Sequence, residues 1–173
     1  MKNILSTLAL SALLMGASAI PASAGIISYT VTLSGTQSVP GNASTATGSA
    51  IVTVDDVANT VFVSLTFSGL TGGNAFAAHI HCCTPATGTA GVIIPFTAFP
   101  AATSGTYTNT FTTTAANIAG IEAFGAYINI HDATFPAGEI RGNITPEPAT
   151  LSLMGLGLLA VAGAAARRRR RSI

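Results

Sequence analysis

Three histidines, two adjacent cysteines and two nearby carboxylates are the residues whose types and spacing admit chemistry. His79 and His81 stand two apart in Ala77-Ala78-His79-Ile80-His81, and His131 ends Tyr127-Ile128-Asn129-Ile130-His131. The chain holds no other histidine. Residues two apart on a strand share a face, so both imidazoles of the first segment point one way and Ile80 the other. With His131 alongside, three nitrogen donors would meet, a number that suits zinc or copper. Glu139 is a further candidate ligand, or a partner for Arg141, which shares its face two residues on. Asp132 falls on the opposite face of its strand from His131 unless a bulge turns it. The simpler alternative makes all of these polar side chains of a solvated sheet face, hydrogen-bonding across strands.

These groups need strands to position them, and the sequence supplies strands. Ile128 and Ile130 alternate with Tyr127, Asn129 and His131, so the isoleucines can enter a core. Phe135-Pro136-Ala137-Gly138 reads as a turn, because proline fixes φ and glycine tolerates turn conformations. Alternation resumes from Glu139 to Ile144. Upstream, residues 27–33, 49–54, 60–67, 76–81, 91–94 and 106–113 alternate in the same way or form short apolar runs. Asp55 to Asn59 reads as a hairpin turn between the second and third of these. Only Ala115 to Phe124 has helical character. Strands this short and this closely spaced predict an all-β fold, an antiparallel sandwich or barrel with Greek-key-like connections.

Charge divides the chain into three. Of its 173 residues, 49% are hydrophobic and 8% charged, for a formal net charge of +1. Five of the seven bases are Arg167, Arg168, Arg169, Arg170 and Arg171, and a sixth is Lys2. Gly25 to Thr145, by contrast, carries five acids against Arg141 alone, a formal −4. A mildly acidic body offers no basic patch, and nucleic acid is not an expected partner. Its 120 or so residues are enough for one domain with a real core. Lys2, the apolar run from Ile4 to Met15 and the small-residue pattern Ala22-Ser23-Ala24 make residues 1–24 a secretion signal, with a mature N-terminus at Gly25. After Pro146-Glu147-Pro148, Ala149 to Ala166 runs uncharged to the arginines, near the lower length limit for a membrane-spanning helix. The run Arg167-Arg168-Arg169-Arg170-Arg171 then sets the topology: it marks the cytoplasmic side and leaves the body outside.

An exported location bears on Cys82 and Cys83. An oxidising compartment ordinarily bridges two cysteines. Disulfides usually need Cα atoms about 4.4–6.8 Å apart, which neighbours in sequence reach only with strained peptide geometry. A vicinal bridge, two free thiols and soft ligands added to the histidines all stay open.

The tail, residues 146–173, resembles a PEP-CTERM sorting signal in its Pro-Glu-Pro triplet, apolar span and terminal basic cluster. The resemblance implies a Gram-negative envelope or extracellular protein, anchored transiently in the inner membrane and processed by an exosortase-type protease. The body, residues 25–145, resembles the CHRD domain. The likeness rests on Ala77-Ala78-His79-Ile80-His81, on Tyr127-Ile128-Asn129-Ile130-His131, and on Phe135-Pro136-Ala137-Gly138-Glu139-Ile140-Arg141-Gly142. Cys82-Cys83 stands where a glycine usually follows the His-x-His, and Asp132 replaces the more usual threonine. A fainter likeness, of Gly69-Leu70-Thr71-Gly72-Gly73 and His79-Ile80-His81 to copper/zinc superoxide dismutase, is one of fold only. That enzyme's site needs more histidines than three, and a zinc-binding loop.

No nucleophile elbow, phosphate loop or catalytic carboxylate pair is evident, so an enzyme is not the first expectation. Two readings of function follow. One is a non-catalytic surface or matrix module bound to exopolysaccharide or to other envelope proteins, favoured by threonine-rich strands and low charge. The other is a metal-binding envelope protein or enzyme that uses the three histidines.

Overall fold

The computed structural model describes residues 25–146. The segments read as signal peptide and apolar span lie outside the described residues, as do Glu147 and Pro148. The topology-setting run of Arg167, Arg168, Arg169, Arg170 and Arg171 lies outside them too. Among the described residues no helix is long and apolar enough to cross a membrane. Eight strands follow in the order β1 (Ile26–Ser34), β2 (Thr47–Asp55), β3 (Thr60–Ser68), β4 (Ala77–His81), β5 (Val92–Pro95), β6 (Gly105–Thr112), β7 (Tyr127–His131) and β8 (Ile140–Asn143). One α-helix, α1 (Ala115–Glu122), precedes β7, and a short 3-10 helix (Gly35–Gln37) follows β1. The strands form a single sheet in the order β5-β4-β7-β8-β1-β2-β3-β6, all pairs antiparallel. The fold is therefore all-β, a nearly closed barrel with little helix, as the alternation predicts.

The chain lays down β1, β2 and β3 as a meander and then crosses to build β4 and β5 at the far edge. It returns to set β6 beside β3, and finally inserts β7 and β8 between β4 and β1. Where the sheet's two ends approach each other, aromatic rings fill the inside. Phe96 stacks on Tyr107 at 5.1 Å and on Phe111 at 5.7 Å. Offset aromatic pairs at such distances add roughly 0.5–1.5 kcal/mol beyond the area they bury. Helix α1 starts where the Thr114 hydroxyl accepts the Asn117 amide proton, a side-chain cap for an otherwise orphaned donor. It buries Ile118 and Ile121 and ends two residues short of the expected Phe124, which takes a left-handed φ of 60°.

Residues alternate strictly between core and outside along β2 and β3. In β7 the alternation fails on one side only. Ile128 and Ile130 are fully buried, as predicted, but Tyr127, Asn129 and His131 are buried too. The polar face of β7 is not solvated; loops cover it. Replacing Ile128 by Asp strands a carboxylate in the core, with an expected cost above about 4 kcal/mol. Urea unfolding of the variant checks this, and a loss below about 1 kcal/mol would place Ile128 outside the core.

Candidate metal centre

Strands β4 and β7 are hydrogen-bonded neighbours, with His81 opposite Tyr127, His79 opposite Asn129 and Ala77 opposite His131. All six share a face because the register is even throughout. His131 thus lies diagonally across from His79, within reach of a long side chain. One ring nitrogen from each of His79, His81 and His131 falls within 4.8 Å of the others. His79 Nδ1 is 3.2 Å from His131 Nε2.

Two backbone carbonyls orient the rings. His81 Nδ1 donates to the Ala90 carbonyl at 2.9 Å, and His131 Nδ1 to the Pro136 carbonyl at 2.9 Å. Both bonds leave Nε2 unprotonated, and that of His131 lies at hydrogen-bond distance from His79 Nδ1. Such outer carbonyls fix the tautomer and raise the basicity of histidine ligands. The Pro136 carbonyl arrives on the 135–138 turn, where Gly138 donates to Phe135. Gly138 has φ +115°, and a Cβ there would overlap the Asn129 amide. Only glycine permits both the conformation and the approach. His81 Nε2 is buried and has no hydrogen-bond partner among the described residues.

Burial disfavours the charged form of all three rings. It pushes His79 down to about 4, helped by its neighbours His131 and His81. It lowers His81 against the opposing hydrogen bond to Ala90, with the Arg141 charge acting in the same direction as burial. His131 is lowered in the same way, against its bond to Pro136. The arrangement offers three nitrogen donors, with His79 the least buried of the three.

Behind the trio stands a layer that the sequence did not announce. Tyr127 stacks parallel on His81 with ring centroids 4.7 Å apart, and the Arg141 guanidinium sits 3.5 Å above the Tyr127 ring. Arg141 is 1% exposed and meets no carboxylate among the described residues. Its guanidinium donates instead to the carbonyls of Gly88 and Ala86, at 2.7 and 2.9 Å, and to Asn143. Burial lowers its pKa, and these acceptors stand in for a counter-ion. The loop it grips is the one that brings the Ala90 carbonyl to His81. The one signal for Tyr127 in the sequence is its place two residues before Asn129, on the face of His131.

The remaining candidate ligands lie elsewhere. Glu139 neither joins the histidines nor pairs with Arg141. It is fully buried and accepts the Thr71 amide and hydroxyl at 2.7 Å each, the Gly72 amide at 3.2 Å and the Ser44 hydroxyl. Asp132 follows the end of β7 and accepts the amides of Thr134 and Phe135. Cys82 and Cys83 are joined as a vicinal disulfide and hold no thiolate for a metal. Cys82 points to the core side, opposite His81, and both sulfurs rest on Gly120 of α1.

Gly120 yields a test with a definite sign. In an ordinary helix, Gly→Ala gains about 1 kcal/mol. Here the added Cβ would overlap Cys83 Sγ and come within 2.6 Å of Cys82 Sγ, and overpacking of this kind costs about 1–3 kcal/mol. Gly120→Ala is therefore expected to lower the melting temperature, whereas a rise would show that the sulfurs do not rest there.

The chain belongs to the CHRD domain family, whose pattern it matches over residues 29–144. Residues 145–171 match the PEP-CTERM protein-sorting motif, so this is an exported protein of the Gram-negative envelope type, handled by an exosortase-type enzyme. Neither the curated proteins nor the solved structures contain a match.

Proposed function

We propose that this exported CHRD-domain protein binds one transition-metal ion, zinc or copper, through His79, His81 and His131. The observation that carries the reading is the buried Nε2 of His81, which has no hydrogen-bond partner among the described residues, in a trio whose imidazoles each bring a nitrogen within 4.8 Å of the others. A buried polar atom without a partner is costly, and a cation shared by three neutral imidazoles satisfies it. His79, His81 and His131 would hold the ion; the Ala90 and Pro136 carbonyls and Tyr127 would orient the rings. The bound ion would supply Lewis acidity or electron transfer, but no free carboxylate stands among the ligands to act as a base. A carrier or binding role fits better than hydrolysis.

Metal analysis of the purified full-length chain, beside a variant lacking all three histidines, tests this. Stoichiometric zinc or copper in the first and none in the second is expected. Equal metal in both, or none in either after exposure to both ions, ends the reading. A second role, adhesion or attachment within the extracellular matrix, is favoured by a different surface: the hydroxyl-rich outer face of β1, β2, β3 and β6.

A further inference from the structure

That outer face carries a regular array of hydroxyls. The pairings align Thr32, Ser49, Thr66 and Thr106 as one rung across four strands. The next two rungs, both on the side toward the β2–β3 turn, are also serine and threonine throughout, except at Ile51 and Phe62. Ten of these twelve outward positions thus bear a hydroxyl and none bears a charge. Strands roughly 4.8 Å apart, with same-face residues roughly 6.7 Å apart, spread the array over about 14 by 14 Å. Ser28 and Thr53 bond each other; the other eight hydroxyls have no side-chain partner among the described residues. The surface is also recessed. A hollow of about 330 Å³ over Thr30, Ser49, Ile51, Ser64 and Thr66 shares Ser49 and Thr66 with a second of about 200 Å³ running on to Thr47 and Ser68. The two make one shallow trough.

We infer that this trough is a docking surface for a neutral polysaccharide. The inference rests on the matrix role and is independent of the metal centre. Each hydroxyl both donates and accepts, so the array suits a ligand whose own groups do both, as sugar hydroxyls do. Ile51, 51% exposed in the trough, offers an apolar contact for the C–H face of a sugar ring. An ionic partner would find no counter-charge, and a protein partner would find too little apolar surface for the core of a stable interface. The continuity of the two hollows fits a chain rather than a single sugar.

Co-sedimentation of the full-length chain, held in a detergent without a sugar headgroup, tests the assignment. Insoluble cellulose, curdlan and starch serve as neutral probes, and calcium alginate beads as the anionic one. At least one neutral glucan should retain the protein, equally at about 0.05 and 0.5 M NaCl, because screening has no charge to act on. Ser64→Asp with Thr66→Asp, both outward-facing, should weaken retention at least about tenfold, equivalent to about 1.4 kcal/mol. Thr66→Lys should do the same with the opposite charge, and unchanged melting temperatures would show the variants folded. Retention on alginate alone, retention on none of the three glucans, or full retention of the folded variants would overturn the assignment.

Discussion

Titration of the full-length chain with zinc or copper is expected to reach one ion per chain, and His131→Ala to weaken that binding more than about 100-fold. Losing an outer-shell partner of a metal ligand typically costs about 10–100-fold, so losing a ligand should exceed that range. His131 is the discriminating choice because it alone comes from β7, and its Nε2 lies 3.2 Å from His79 Nδ1. The variant should keep its fold, since the side chain sits on the loop-covered face and not among the core isoleucines. Ile130→Ala, one residue earlier and facing the core, should do the reverse. It should cost about 2–5 kcal/mol of stability and leave metal affinity nearly intact. Acid should release the ion, because only neutral imidazole ligates. Release should come late, however. Burial lowers all three rings, His79 to about 4, so binding should persist at pH 6, where a free histidine is mostly protonated. Loss of binding near pH 6.5 would indicate three solvated rings and sink the buried site. Equal affinity in His131→Ala would remove β7 from it.

What could be read in the chain was whatever has a period of two. The β7 boundaries follow from five residues of alternation, and His79, His81 and His131 were expected to converge if their strands were neighbours. The register gives that neighbourhood a definite form. What could not be read depends on loops, whose paths have no period. The face of Tyr127, Asn129 and His131 looked solvated because its residues are polar. It is buried because the 135–138 turn and the loop before β5 fold over it, held by Arg141 and by the carbonyls of Pro136 and Ala137. Arg141 and Glu139 looked like an ion pair because one face of a strand would carry both. Glu139 instead precedes the first residue of β8, and its side chain leaves the sheet for the loops after β1 and β3. The cysteines were readable as a pair but not in direction; Cys82 follows His81 and so takes the opposite face.

Glu139→Ala is expected to destabilise the domain by about 3–5 kcal/mol, the cost of leaving strong buried partners without their charge. Among the described residues the carboxylate has no cation beside it. It is held by the Ser44 hydroxyl, the Thr71 amide and hydroxyl and the Gly72 amide, with Asp132 beside it. Burial alone would raise its pKa, but these donors more than offset that and hold it at about 2. They come from the loops after β1, β3 and β7, so one side chain ties three loops at one end of the barrel. Asp132 is the reciprocal partner. Burial first, and then its contact with Glu139, raises its pKa, which favours the protonated form, the one able to donate a hydrogen bond to Glu139. The sign of each contribution follows. The Glu139 contribution is present above the ordinary carboxylate range and is lost as pH falls toward about 2. The Asp132 contribution weakens as pH rises from its ordinary value through its raised one. Asp132→Asn should therefore be tolerated, because an amide N–H replaces the shared proton while its oxygen still accepts from Thr134 and Phe135. Relative to the parent, this variant should gain stability as pH rises from about 4 to 7. Denaturant unfolding of both variants across that range decides the matter. A Glu139→Ala variant as stable as the parent, or an Asp132→Asn variant as damaged as Glu139→Ala, would show that the two carboxyls do not share a proton at the centre of these loops.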